Sequence, residues 1–165
     1  MYGKQTETAI AAISKLAEVY DSGKTRLSAS EIAKSRGLQG PFVAKMLTVL
    51  SQAGLVQGMP GPGGGYSLAK PPSRIKLYDV FTLFEREDND PNCPFGGGTC
   101  GIGEACAVHD KLVAVQGAVN DLLKHTTFDE FRKLAVERGE TVGTSGKKKP
   151  AKKRESFRAA VRGGR

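Results

Sequence analysis

The sequence predicts a mainly α fold carrying one small β wing, and three observations predict it. Apolar residues recur at helical spacing in five segments, the first of them residues 5–20. The strand-like runs Leu55-Val56-Gln57 and Tyr66-Ser67-Leu68 flank a loop, Gly58-Met59-Pro60-Gly61-Pro62-Gly63-Gly64-Gly65, too rich in glycine to pack a core. Finally, 165 residues with 39% hydrophobic and 25% charged side chains suit an ordinary globular protein. No window approaches the roughly 18 apolar residues that span a bilayer. The amphipathic, charged residues 1–12 lack the apolar core of a signal peptide, so a cytoplasmic protein without membrane contact is expected.

The elements follow in order. Ala9, Ile10, Ile13, Leu16, Ala17 and Tyr20 make one apolar stripe on a first helix that ends near Asp21-Ser22-Gly23. Ser28, followed three residues on by Glu31, reads as a capping box opening a two-turn helix, and Gly37 supplies a left-handed stop after Arg36. After Leu38-Gln39-Gly40, Pro41 suits a first helical position, and Val43, Met46, Leu47 and Leu50 form the buried stripe of a third helix ending at Gly54. Its other face shows Phe42, Lys45 and Thr48. Two short helices joined by a tight turn and followed by a hairpin have the plan of a winged helix-turn-helix, whose second helix enters the major groove of double-stranded DNA. Glycines in the wing let its backbone come close to a phosphate or a groove wall.

Beyond Pro71-Pro72, Leu77, Val80, Phe81 and Phe84 predict a further helix, which gives way at Asp88-Asn89-Asp90-Pro91. Val108, Leu112, Val115, Val119 and Leu122 then step by four and three, the heptad seam of a long dimerisation helix. A winged module of 70-odd residues gives that seam too little surface to cover, so a homodimer is expected. Thr127 with Glu130 reads as a last capping box, before a helix carrying Phe128, Phe131 and Leu134. The expected organisation is a DNA-binding part over residues 1–76, a cysteine loop with dimerisation helices over 77–140, and a basic, disordered tail over 141–165.

Charge follows the same division. Residues 147–165 hold nine basic side chains against Glu155 alone, so the tail carries the whole excess of the +8 chain. Residues 1–76 carry a net +6 and residues 77–146 a net −6, which suggests that one half faces a polyanion and the other does not.

All three cysteines lie in Cys93-x6-Cys100-x5-Cys106-x2-His109, on a glycine-rich segment. Buried structural thiols would instead be scattered through helices and strands. An odd cysteine count without a secretion signal points to a reducing compartment and thiols available to a metal. The spacers are longer than those of a structural zinc knuckle and suit an iron-sulfur cluster better, with zinc or redox-active thiols as the alternatives.

Together these residues resemble the winged-helix iron-sulfur transcription regulators of the IscR and NsrR type, over about residues 2–135. The resemblance is carried by Thr6-Glu7-Thr8-Ala9-Ile10, by Pro41-Phe42-Val43-Ala44-Lys45-Met46-Leu47 leading to Ala53-Gly54-Leu55-Val56, by the wing Gly61-Pro62-Gly63-Gly64-Gly65-Tyr66-Ser67-Leu68-Ala69, and by the cysteine loop. It implies that Cys93, Cys100 and Cys106 are the cluster thiolates. His109 stands where the cluster-assembly branch has its histidine ligand, and Glu7 aligns with an acidic residue that in the nitric-oxide-sensitive branch reaches the cluster from the other subunit. His109 is the first choice for the fourth ligand and Glu7 the second, with a 2Fe-2S cluster preferred to 4Fe-4S. On DNA, the resemblance implies contacts from Gln39, Pro41, Phe42 and Lys45, and from the wing at Gly64, Gly65 and Tyr66. Two positions depart from the family: Pro60 replaces the usual wing arginine, and Ala44 replaces an acidic residue that discriminates between sites.

No nucleophile elbow, no H-E-x-x-H and no complete P-loop occurs, so an enzyme with a small-molecule substrate is not expected. The expectation is a repressor sensing iron, nitric oxide or redox state. Its rivals are a DNA-binding repressor with a zinc or thiol site and an iron-sulfur protein that does not bind DNA.

Overall fold

The structure, a computed structural model, describes residues 3–85 and 106–140. Six α-helices are described, α1 Lys4–Glu18, α2 Ala29–Arg36, α3 Gly40–Gln52, α4 Leu77–Phe84, α5 His109–His125 and α6 Asp129–Glu137, with strands β1 Val56–Met59 and β2 Gly65–Leu68 between α3 and α4. Cys93, Cys100 and the tail lie outside the described residues.

α1 is the central post, packing against α2, α3, α4, α6 and β2. Its stripe of Ala9, Ala12, Ile13, Leu16 and Ala17 meets Ile32 of α2, then Val43, Met46, Leu47 and Leu50 of α3, in one core that continues through Ile75, Val80, Leu123 and Phe128. The helix stops two residues short of the expected end, and Tyr20 packs on the core from outside it, with the Arg132 guanidinium 5.6 Å from its ring centre. α2 forms as read: the Ser28 hydroxyl accepts from Glu31 N–H at 3.2 Å, the Glu31 carboxylate accepts from Ser28 N–H at 2.7 Å, and Gly37 closes it at φ 65°. Arg36 then fixes the angle between α2 and α1, donating to Glu18 at 2.6 Å, Ser14 Oγ at 3.0 Å and the Ala11 carbonyl at 3.3 Å.

α3 begins one residue earlier than expected, at Gly40, so Pro41 takes the second helical position. There its missing N–H costs nothing. The antiparallel hairpin pairs Val56 with Leu68, Gln57 with Ser67, Gly58 with Tyr66 and Met59 with Gly65. Leu27 adds a bridge to Tyr66, exchanging N–H···O bonds of 3.0 and 2.8 Å, which ties the wing to the entrance of α2.

The C-terminal elements are fastened to this body by a short ladder. Leu77 N–H donates to Thr126 O at 3.0 Å and Phe128 N–H to Ile75 O at 2.9 Å, around a Lys76–Thr127 bridge. That ladder explains one departure from the expected pattern. Thr127 is drawn into extended pairing, so its side chain does not cap α6; the helix starts at Asp129 behind Phe128, which is fully buried. Asp79 caps α4 instead, its carboxylate accepting from Lys76 N–H at 2.9 Å.

Candidate nucleic-acid interface and sulfur site

The sequence-predicted DNA contacts fall at the start of α3 and at the start of β2 in the wing. Gln39 is the residue before α3, exposed and making no side-chain cap; Pro41 and Lys45 are exposed on the first turns. Phe42 is half-buried and packs against the core, so it serves first as a packing residue and offers only part of its ring outward. The stripe on the other side of the helix, Val43, Met46, Leu47 and Leu50, is at most 1% exposed. Burial on one side and polar exposure on the other is what a groove-reading helix requires, because the buried stripe holds its orientation while the outward residues remain free to meet base edges.

In the wing the glycines have an internal explanation. A Cβ on Gly64 would lie 2.2 Å from the Met59 carbonyl oxygen, and Gly65, at φ 136°, would place one 2.9 Å from the Leu27 carbonyl. Both are therefore required by the hairpin's own backbone before any partner arrives. Tyr66 is half-buried behind them.

Of the expected sulfur-site residues, Cys106 and His109 are described. Both are half-buried, and His109 N–H donates to the Cys106 carbonyl at 3.0 Å, so one turn at the entrance of α5 carries a soft sulfur donor and an imidazole. That pairing of donor types fits a thiolate-and-imidazole-held iron-sulfur group or a thiophilic metal. Among the described residues no group of three or more His, Cys, Asp or Glu side chains converges. Glu7 is exposed on the first turn of α1. That turn is anchored by a residue the sequence gave no reason to single out: the Glu85 carboxylate accepts from Gly3 N–H at 2.6 Å and from the Thr6 hydroxyl at 2.5 Å. Those bonds, that from Thr6 first, hold the Glu85 carboxyl below its ordinary range. The start of α1 is thus pinned to the residue that follows α4.

α5 is 17 residues long, about 25 Å. Leu123 is its one buried residue, near the end held by the ladder. Val119 is half-buried against the core and Leu112 is half-buried, whereas Val108, Val115 and Leu122 along the same stripe are 36%, 61% and 47% exposed. Among the described residues, that part of the apolar stripe is left as an exposed flank.

A helix-turn-helix with an outward polar face, a glycine-built wing and a helical arm define a winged-helix DNA-binding regulator. The family model for Rrf2, described as an iron-dependent transcriptional regulator, matches residues 2–133, and the chain belongs to that family. A putative HTH-type transcriptional regulator of Aquifex aeolicus is 34% identical over 103 residues, covering 61% of this chain and 72% of that protein. The HTH-type transcriptional regulator IscR of Cereibacter sphaeroides is 28% identical over 128 residues, covering 71% and 83%. Among solved structures, CymR, the global cysteine regulator of B. subtilis, superposes with a TM-score of 0.64 at 22% identity, covering 81% of this chain and 97% of that one. IscR of T. potens gives 0.60 at 24% identity, covering 81% and 88%. These likenesses confirm the mainly helical winged fold, and the relatives are transcriptional regulators rather than enzymes.

Proposed function

We propose that the chain is a homodimeric repressor whose DNA affinity follows the state of an iron-sulfur site held by Cys93, Cys100, Cys106 and a fourth ligand, with His109 preferred to Glu7. Residues 1–76 read DNA through Gln39, Pro41, Phe42, Lys45, Gly64, Gly65 and Tyr66; residues 77–140 sense and dimerise; residues 141–165 add non-specific attraction to DNA in the cytoplasm. One observation carries the reading. α5 has Cys106 and His109 at one end, an uncovered apolar flank along its length, and a backbone ladder to the DNA-binding body at the other end.

An iron-sulfur group, when bound, supplies a centre that iron supply, nitric oxide and oxidants alter. The chain's own part is mechanical. Cys106 and His109 set where the first turn of α5 sits, and Val108, Val115 and Leu122 mate with the same stripe of a second copy. Any tilt of the helix reaches residues 75–77 through the ladder, and so changes the separation of the two α3 helices. Half-site spacing on DNA is fixed by that separation, about 34–36 Å for adjacent turns, so a small tilt changes affinity.

Anaerobic purification with iron and sulfide analysis, absorption spectra and gel-shift titration tests the reading. Red-brown, iron-containing protein whose grip on a selected duplex changes when the colour is bleached supports it. Colourless protein with oxidant-dependent binding favours thiol sensing; coloured protein that ignores every duplex leaves an iron-sulfur protein without a DNA role.

A further inference from the structure

The wing carries no charged side chain: from Leu55 to Ala69 there is no Lys, Arg, Asp or Glu. Its exposed side chains are the neutral amide of Gln57 and apolar groups. Met59, the last residue of β1, pairs with Gly65 at the base of the loop and is 51% exposed, with exposed Pro60 and Pro62 beyond it. The tip is a folded block and not a tether, since Gly64 N–H donates to Gly61 O at 2.9 Å and the Gly64 backbone lies against the Met59 carbonyl too closely for any Cβ. Major and minor grooves alternate along a duplex. With α3 in the major groove, a hairpin leaving its C-terminal end after the Gly54 turn lies across the intervening phosphate strand, toward the neighbouring minor groove. That groove, about 6 Å wide, is too narrow for a helix or a two-stranded ribbon but admits a single side chain from a hairpin lying over it.

We propose that Met59, braced by Pro60 and Pro62, is an apolar wedge that enters the minor groove and partly unstacks a base step, bending the DNA. Side chains of this kind kink duplexes by about 20–90° toward the major groove, most readily at flexible pyrimidine–purine steps. A wedge of methionine and proline neutralises no phosphate, so its contribution should be indifferent to salt, in contrast to that of Lys45. The inference rests on the DNA-binding reading above and adds how the wing takes part and what it does to the duplex.

The test uses the full-length chain and a duplex enriched by that chain from a random-sequence pool, with affinity measured at several salt concentrations and the bend by energy transfer between end labels. Met59→Ala should weaken binding about tenfold, by the same factor at every salt concentration. It should lower the bend by about 20° or more, with an unchanged melting temperature, and Met59→Leu should recover most of both. Lys45→Ala should instead make the salt dependence shallower by about 0.9 in the log–log slope. Met59→Ala that binds and bends like the parent, or that loses affinity with the bend intact, overturns the wedge while DNA binding stands. A pool from which nothing is enriched overturns both.

Discussion

The Glu85 carboxylate joins positions 79 and 82 residues away, and no local pattern announces such a bond. Caps such as Ser28 with Glu31 were legible because donor and acceptor sit three residues apart; Glu85, like Arg36 on Glu18, depends on how helices cross. Its carboxyl is held below the ordinary value of 4.5, first by the Thr6 hydroxyl and then by the Gly3 amide. A carboxylate with a depressed folded pKa contributes stability that is fully present above the unfolded value and is lost as pH falls through the lower, folded one. Glu85→Gln should therefore cost about 1 kcal/mol near neutrality, and the gap between parent and variant should close as pH drops below 4.5 in urea melts. Asp21 and Glu31 are depressed in the same sense by their own local hydrogen bonds, so a comparison of the two proteins, and not the acid limb of either one, isolates the contact. A gap of constant size across that window would show that the carboxylate charge contributes nothing there.

At the scale of elements, α5 separates two neighbouring leucines with opposite duties. Leu123 is 2% exposed in the core, and Leu122 is 47% exposed on the uncovered flank. Truncation of Leu123 to Ala should destabilise the fold by about 2–5 kcal/mol through lost burial and a residual cavity. Leu122→Glu should leave the core intact and shift sedimentation toward monomer, since a charge on an apolar seam is buried only at the expense of its hydration. If Leu122→Glu sediments as the parent does, the flank is not the dimer seam. The apolar stripe itself was readable from its alternating steps of four and three. Leu123 was not singled out, because periodicity marks a face without saying which edge of it meets the body. The Thr127 box failed for a related reason: its local motif competes with the ladder to residues 75–77, and the extended pairing, together with complete burial of Phe128, wins.

For the whole molecule the organising fact is electrostatic. The tail carries the chain's entire excess of +8, residues 1–76 a net +6, and residues 77–146 a net −6, so both ends of the sequence attract a polyanion and the middle repels it. The architecture was legible because winged-helix elements are local in sequence, whereas the proposed sulfur site is legible only as composition: its spacing lists donors and leaves their convergence to the fold. The same logic decides what the tail does. Counterion release makes binding of any duplex steeper in salt by about 0.9 log units per log unit for each phosphate neutralised, without regard to sequence. Base contacts from α3 add a component that salt touches far less. Deletion of residues 147–165 should therefore lower affinity for a random duplex more than for an enriched one, flatten the salt slope for both, and raise the ratio between them. Fluorescence anisotropy at four or five salt concentrations measures all three. An unchanged slope would mean that those nine basic side chains never reach the phosphates, and that the +6 of residues 1–76, led by Lys45, suffices to hold the DNA.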